Sequence, residues 1–254
     1  MRKKIVAGNW KMNTLVKDGV ALASSLNNEL KKIELKDNTS VIIAPPFTHL
    51  TSVSQVIDNK KIQLAAQNCS AEAKGAYTGE ISAEMIKMLG CDSVIIGHSE
   101  RREYFKEDSE FLLKKVKQAL LNNLTPIFCC GEKLEEREKD NHFNIVKDQI
   151  SEALFSLSPN EFSKIIIAYE PVWAIGTGVT ASKEQAQEMH AFIRNQTCSA
   201  TSSIRSCFSI YQNAGPPIGT VLHEKILTIW RYCNTIFVSF SIWIAGYGLR
   251  LSPV

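Results

Sequence analysis

The hydrophobic positions of this chain form short recurring runs, separated by longer stretches in which apolar and charged residues alternate. Six runs occur at residues 4–7, 41–44, 62–66, 94–96, 126–129 and 165–169. Runs that are apolar on both faces, without an alternating polar face, are typical of parallel strands in a sheet that is covered on both sides. Each run is therefore predicted to be a buried parallel strand.

Helical periodicity marks the stretches between these runs. Residues 103–121 place Phe105, Leu112, Val116 and Leu120 at helical spacing, and residues 133–157 do so less regularly. Six strand–helix units fit before residue 196, with room for two more after it, and the first run is not followed by Gly-x-Gly-x-x-Gly. We expect an α/β fold, an eight-fold (β/α) barrel in one domain over residues 1–254.

Polar side chains follow the predicted strands at the end where barrel enzymes place their chemistry. The first run is followed by Asn9 and Lys11, and the fourth by His98, Ser99 and Glu100. The fifth run ends in Cys129 and is followed by Cys130 and Glu132, and the sixth is followed by Glu170. A lone lysine or histidine there is commonly structural, and we interpret the cysteines as core residues. Together, a carboxylate, an imidazole and an ammonium group on one rim favour proton transfer on a small anion.

Composition narrows the function classes. A formal net charge of +3 over 254 residues gives little support for nucleic-acid binding. The seven cysteines are scattered without a CxxC pair, so neither a disulfide framework nor a zinc site is predicted. The longest apolar stretch, residues 236–245, is half of the ~20 residues that a membrane helix needs. We expect a cytoplasmic protein that uses no metal or cofactor.

The motifs at these strand ends closely resemble those of the triosephosphate isomerases over about residues 3–196. They are AGNWKMN at 7–13, APPF at 44–47, QN at 67–68 with GAYTGEIS at 75–82, IGHSERR at 96–102 and AYEPVWAIGTG at 168–178. The resemblance implies a TIM (β/α)8 barrel, a glycolytic and gluconeogenic isomerase that interconverts glyceraldehyde 3-phosphate and dihydroxyacetone phosphate.

The resemblance also implies a role for each matching residue. Glu170 would be the base, His98 the neutral electrophile, Lys11 the cation for phosphate and enediolate, and Asn9 a donor to a substrate oxygen. Gly176, in a loop that closes over the ligand, would give an N–H to the phosphate. The family is homodimeric, and Thr78 would reach the partner's site beside the residues equivalent to Asn9 and Lys11.

The last part of the chain departs from this pattern. Residues 1–196 contain 50 of the 55 charged residues. At 214–217, where the family's seventh loop binds phosphate, the sequence reads AGPP, and proline lacks the N–H that such a loop supplies. Residues 237–245 followed by GYG only loosely resemble the eighth strand and loop. The last two units are therefore predicted to be divergent or incomplete.

Two alternatives to an active triosephosphate isomerase stay open on the sequence. One is an impaired or inactive relic that lacks the phosphate site of loops seven and eight. Residues 228–233 can be back-translated so that another reading frame encodes a sequence like that of the seventh loop. Such a sequence is what a frameshifted or mis-spliced product would contain. The other is a barrel isomerase that acts on another small phosphorylated sugar through the same base.

Overall fold

The computed structural model describes residues 4–35, 39–175, 181–200 and 208–209. Its seven strands are β1 (Lys4–Asn9), β2 (Thr39–Ala44), β3 (Ile62–Ala66), β4 (Ser93–Ile96), β5 (Thr125–Cys130), β6 (Ile166–Tyr169) and β7 (Phe208–Ser209). Each of the six predicted runs coincides with a strand, and only the sixth strand starts later than its run, at Ile166. The predicted eighth strand, the AGPP segment and Gly176 lie outside the described residues.

Nine α-helices are described over the same ranges. They are α1 (Val16–Lys31), α2 (Leu50–Ser54), α3 (Ala83–Met88), α4 (Ser99–Tyr104), α5 (Ser109–Leu121), α6 (Leu134–Glu138), α7 (His142–Leu154), α8 (Pro159–Phe162) and α9 (Lys183–Ala200). Short 3-10 turns cover Phe47–His49 and Val172–Ala174. None of the described helices is both long and apolar enough to cross a membrane.

The sheet is parallel throughout, and its strands lie in chain order from β1 to β7. Lys4 pairs with Thr39 where β1 meets β2, and Ile166 pairs with Phe208 where β6 meets β7. An order without reversal is that of a barrel, whereas a doubly wound sheet reverses at a switch point. The predicted fold class is thus confirmed.

Two apolar layers explain why the strands carry no polar face. One side of the sheet joins residues from β1 to β6 in a single cluster, which requires the sheet to curl: Ala7, Ile42, Ala44, Ala65, Ile95, Ile127, Cys129, Ile166 and Ala168. On the other side, residues such as Ile43 and Phe128 pack against helix residues such as Leu112, Val146 and Met189. Both faces are therefore buried.

The two predicted helices are each interrupted. Residues 103–121 are divided between α4 and α5, because Lys106 has φ +55° and the Asp108 side chain caps α5 by accepting the Phe111 N–H. Phe105 lies in the break and is 64% exposed, so it is not a core residue as its spacing suggested. Asp140, with φ +54°, lies in the break between α6 and α7, where the helix start has no side-chain cap.

At the amino ends of the strands lies an open cavity of about 350 Å³. Its lining includes Gln63 on β3, Ser93 on β4 and Thr125 on β5, together with Asp92 and Lys164 from the preceding turns. Ser93 is buried, and among the described residues its hydroxyl has no hydrogen-bond partner. This end therefore has space and polar groups, but lies opposite the predicted site.

Candidate active site

Three predicted site residues lie at the carboxyl ends of β1, β4 and β6. Asn9 is the last residue of β1, His98 lies two residues beyond β4, and Glu170 directly follows β6. All three are buried, with exposed fractions of 4%, 3% and 1%. The carboxyl ends of parallel strands open on the same side of a barrel, so residues distant in sequence converge there.

Glu170 and His98 are in direct contact. The Glu170 Oε1 atom lies 3.2 Å from His98 Nε2, and the Ser99 backbone N–H donates to Glu170 Oε2 at 3.2 Å. The two hydrogen bonds fix both oxygens of a carboxylate that is otherwise surrounded by protein. The structure thus places the predicted base beside the predicted electrophile.

The hydrogen bond to the other ring nitrogen defines the tautomer of His98. The Glu100 backbone N–H donates to His98 Nδ1 at 3.2 Å. A backbone N–H can only donate, so Nδ1 must hold a lone pair and the ring proton must lie on Nε2. In this tautomer the Nε2–H of the His98 ring faces Glu170.

Lys11 completes this cluster from the loop after β1. Its Nζ forms an ion pair with Glu100 Oε1 at 2.7 Å, and Glu100 Oε2 lies 3.6 Å from His98 Nδ1. The Lys11 side chain is 17% exposed, so the ammonium group is partly accessible from the rim. Asn9 Oδ1 accepts the Lys11 backbone N–H at 3.0 Å.

The cysteines of β5 lie on opposite sides of the sheet. Cys129 belongs to the inner apolar cluster and Cys130 to the outer one. Burial raises the pKa of Cys130 to about 12 and that of Cys129 well above its usual value, with the nearby Glu170 carboxylate as a further cause for Cys129. Both thiols stay protonated near neutral pH, which agrees with their interpretation as core residues.

Glu132, which sequence reasoning placed on the rim without a role, is fully buried. Its Oε1 accepts three hydrogen bonds, from Arg137 Nη1 at 2.9 Å, the Tyr169 hydroxyl at 2.9 Å and Trp173 Nε1 at 2.8 Å. Burial and the Glu132 charge raise the pKa of Tyr169, so its hydroxyl remains a donor. Glu132 thereby anchors Trp173, which stands at the start of the predicted closing loop.

Sequence reasoning assigned no role to Arg102 or Gln67. Burial lowers the pKa of the Arg102 guanidinium, which donates to the Gly97 carbonyl at 2.8 Å and the Cys129 carbonyl at 3.0 Å. It thus ties the ends of β4 and β5 together directly before His98. Gln67 follows β3 immediately, and this position and the QN motif at 67–68 were the signals that could have marked it.

Thr78, the predicted dimer residue, lies in an exposed segment over residues 72–80. None of the contacts described above for Lys11, His98 and Glu170 involves this residue. The structure brings Asn9, Lys11, His98 and Glu170 together. It does not bring Thr78 to them within one chain, and Gly176 lies outside the described residues.

Comparison with known proteins identifies one family. The sequence profile of the family described as triosephosphate isomerase matches residues 4–212. A triosephosphate isomerase of Porphyromonas gingivalis is 57% identical over 194 residues, which cover 76% of each chain. That of Phocaeicola vulgatus is 56% identical over 195 residues, 77% of this chain and 76% of the relative, and that of Flavobacterium johnsoniae is 50% identical over 194 residues, 76% of each.

Proposed function

The chain belongs to the triosephosphate isomerase family of isomerases, and we propose that it interconverts glyceraldehyde 3-phosphate and dihydroxyacetone phosphate through an enediolate. The observation that carries this proposal is the contact between Glu170 and His98, at 3.2 Å, beside Lys11 on the carboxyl-end rim. This reaction implies that the protein acts in glycolysis and gluconeogenesis. We propose that it does so in the cytoplasm.

Glu170 is the base in this proposal. Its carboxylate takes the proton from C2 of the aldehyde, so that the C2–H bond breaks, an O–H bond forms, and the electron pair moves through C1=C2 onto the carbonyl oxygen. After a proton moves from the C2 oxygen to the C1 oxygen, the Glu170 carboxylic acid returns its proton to C1 and the ketone results. A positioned base of this kind contributes typically ~10²–10⁴-fold.

His98 and Lys11 stabilise the charge that develops. The Nε2–H of a neutral imidazole can donate to the oxygen that becomes negative, and the ammonium group of Lys11 adds a positive charge on the same rim. In the unliganded site Lys11 Nζ is paired with Glu100. A substrate phosphate would compete for this ammonium group, while Asn9 would donate to a substrate oxygen.

The loop that starts at Trp173 covers the site in this proposal, and the Gly176 N–H binds the phosphate. Water must be excluded because an exposed enediolate would eliminate phosphate. The Glu132–Trp173 hydrogen bond at 2.8 Å supports this, since it gives the loop a fixed base at the site. Tyr169, which directly precedes Glu170, binds the same Glu132 oxygen.

We propose further that the chain is a homodimer in which Thr78 contacts the partner's Asn9 and Lys11 region. Exposed apolar side chains lie on the third loop, which joins β3 to α3 over residues 67–82, on α3 and just before α1, among them Met12 (96% exposed), Leu15 (76%), Tyr77 (48%) and Met88 (82%). An apolar surface of this kind is typical of protein interfaces. Sedimentation equilibrium of the full chain at micromolar concentration tests this, and a monomer would contradict it.

A buried ion cluster supports the dimer proposal, because it holds the base of the third loop. Lys115 Nζ donates to Asn68 Oδ1 at 2.7 Å and to Glu107 Oε1 at 2.6 Å. Arg101 Nε donates to the same Glu107 oxygen at 2.6 Å. A loop with a fixed base presents its tip to a partner at a lower entropic cost.

The decisive test is the isomerisation of glyceraldehyde 3-phosphate by the purified full chain beside Glu170→Gln prepared identically. The variant keeps the shape of the side chain and controls for contaminating host enzyme. We expect the variant to lose at least ~10³-fold in kcat, since both proton steps use this carboxylate. Equal trace activity in both would contradict the proposal and favour the inactive relic. Activity on another sugar phosphate alone would favour the alternative substrate.

A further inference from the structure

We infer that Gln67 is a positioning residue for Lys11: its side-chain amide holds the lysine backbone in the conformation that directs the ammonium group onto the rim. The inference rests on the proposed role of Lys11 and assigns a function to a residue outside the Glu170–His98–Lys11–Asn9 cluster.

Lys11 adopts a backbone conformation that lysine disfavours. Its φ is +52°, in the left-handed region where a side chain other than that of glycine meets the backbone. Such a residue persists only where its surroundings impose it. The Lys11 backbone lies between β1 and α1, so its N–H and carbonyl are not held by a regular helix or sheet.

Two side chains supply the missing constraints. Asn9 Oδ1 accepts the Lys11 N–H at 3.0 Å, and Gln67 Nε2 donates to the Lys11 carbonyl at 2.9 Å. The peptide groups on both sides of the Lys11 Cα are therefore fixed. Rotation to negative φ would break at least one of these hydrogen bonds, so the pair of amide side chains defines the backbone at this residue.

The same Gln67 nitrogen also donates to the Ala44 carbonyl at 2.8 Å. The Ala44 carbonyl in turn accepts the Trp10 N–H at 3.0 Å. A primary amide has two N–H groups, and here one serves the loop after β1 while the other serves the end of β2. Since Gln67 follows β3 directly, its side chain connects the carboxyl ends of three neighbouring strands, β1, β2 and β3.

The backbone conformation of Lys11 determines where its ammonium group lies in the site. With this backbone, Lys11 Nζ reaches Glu100 at 2.7 Å, beside His98. Without the Gln67 donor, Lys11 can relax to a commoner φ, and the ammonium group then leaves this point of the rim. Misplacement of a charged group by about 1 Å is enough to change rates ~10²-fold.

The test compares Gln67→Met, which keeps the length but has no donor, with Gln63→Met on β3, which lines the amino-end cavity. Gln67→Asn, whose amide is too short to reach both carbonyls, serves if the first variant folds poorly. We expect kcat/KM of Gln67→Met to fall ~10–30-fold, with both a higher KM and a lower kcat, as expected for part of a 10²-fold misplacement. Gln63→Met should stay within about twofold of the unmodified chain.

Two further readouts separate positioning from simple support of the fold. In a Lys11→Met background, Gln67→Met should add no further loss, because its effect passes through the ammonium group; an equal loss in both backgrounds would overturn the inference. Amide hydrogen exchange over residues 10–15 should be faster in Gln67→Met and unchanged in Gln63→Met. Unchanged exchange in Gln67→Met would overturn it even for a chain without activity.

These arms also distinguish this inference from the proposed function. If Lys11→Met loses activity while Gln67→Met matches Gln63→Met, the positioning role is wrong and the function stands. If Lys11→Met is as active as the unmodified chain, the proposed role of Lys11 itself is wrong.

Discussion

The two ends of the same parallel strands differ in how their polar groups are used. At the amino end, a cavity of about 350 Å³ is lined by groups such as Gln63, Asp92 and Ser93. At the carboxyl end, Lys11, His98 and Glu170 meet through hydrogen bonds and ion pairs of 2.7–3.2 Å, with Glu100 between them. The two ends thus differ in whether their titratable side chains contact one another, and this contact is the reason for proposing the carboxyl end as the reactive one.

The contacts at each end show the same difference in detail. Asp92 Oδ2 accepts the Leu64 backbone N–H at 3.3 Å, a bond that joins β3 to the turn before β4. His98, beyond the other end of β4, has one ring nitrogen fixed by a backbone N–H and the other directed at Glu170. The first arrangement supports the fold, whereas the second joins two titratable side chains at the rim.

After that of Glu170→Gln, the largest expected effect also concerns the carboxyl end. His98→Gln keeps a polar side chain but removes the ring whose Nε2–H faces Glu170, and we expect kcat to fall about 10²-fold with little change in stability. Steady-state kinetics with glyceraldehyde 3-phosphate and thermal unfolding of the same preparation check this. A change in kcat of less than about threefold would remove His98 from the mechanism.

A smaller effect is expected from the outer helix layer, where stability can be separated from catalysis. His190 on α9 packs edge-on against Tyr169, with ring centroids 5.9 Å apart, and burial together with the Arg194 charge lowers the pKa of His190 to about 4. The folded chain keeps this ring neutral, while the unfolded chain protonates it below pH ~6.5. Its stabilising contribution is therefore complete above pH 6.5 and is lost as the pH falls toward 4.

Between pH 6.5 and 5 this group should remove about 1.5 kcal/mol from the free energy of unfolding. Urea unfolding at several pH values measures this loss of unfolding free energy. His190→Gln is the control, because only the change of unfolding free energy with pH is compared between the two chains. If the variant shows the same slope as the unmodified chain, His190 is not the group responsible.

The smallest effect is expected at the amino-end cavity. Among the described residues, the buried Ser93 hydroxyl has no hydrogen-bond partner, so Ser93→Ala removes a desolvated polar atom. We expect unfolding free energy to change by less than about 1 kcal/mol, toward greater stability, and kcat/KM to stay within twofold. A loss of activity comparable with that of His98→Gln would contradict the distinction between the two ends.

Much of this structure follows from patterns that the sequence displays. The six doubly apolar runs predicted β1 to β6, because burial on both faces leaves a signal in every residue of a strand. Glu170 was found in the same way, as a carboxylate that closes an apolar run. The family resemblance implied the role of base that is proposed for it.

Other features could not be predicted, for physical reasons. The breaks before α5 and α7 arise at Lys106 and Asp140, which adopt positive φ without the glycine that would have marked them. Gln67 acts through two carbonyls that are distant in sequence, at Lys11 and Ala44, and no pattern along the chain records such a distance.

The central claim is that Glu170 transfers a proton at the carboxyl-end rim. The most direct test converts glyceraldehyde 3-phosphate in D₂O with the full chain and locates deuterium in the product by NMR. A carboxyl group that holds the proton between two steps can exchange it with solvent, so we predict dihydroxyacetone phosphate with deuterium at C1, and none formed by Glu170→Gln. Product that contains only protium at C1, or labelled product formed equally fast by the variant, would contradict the account.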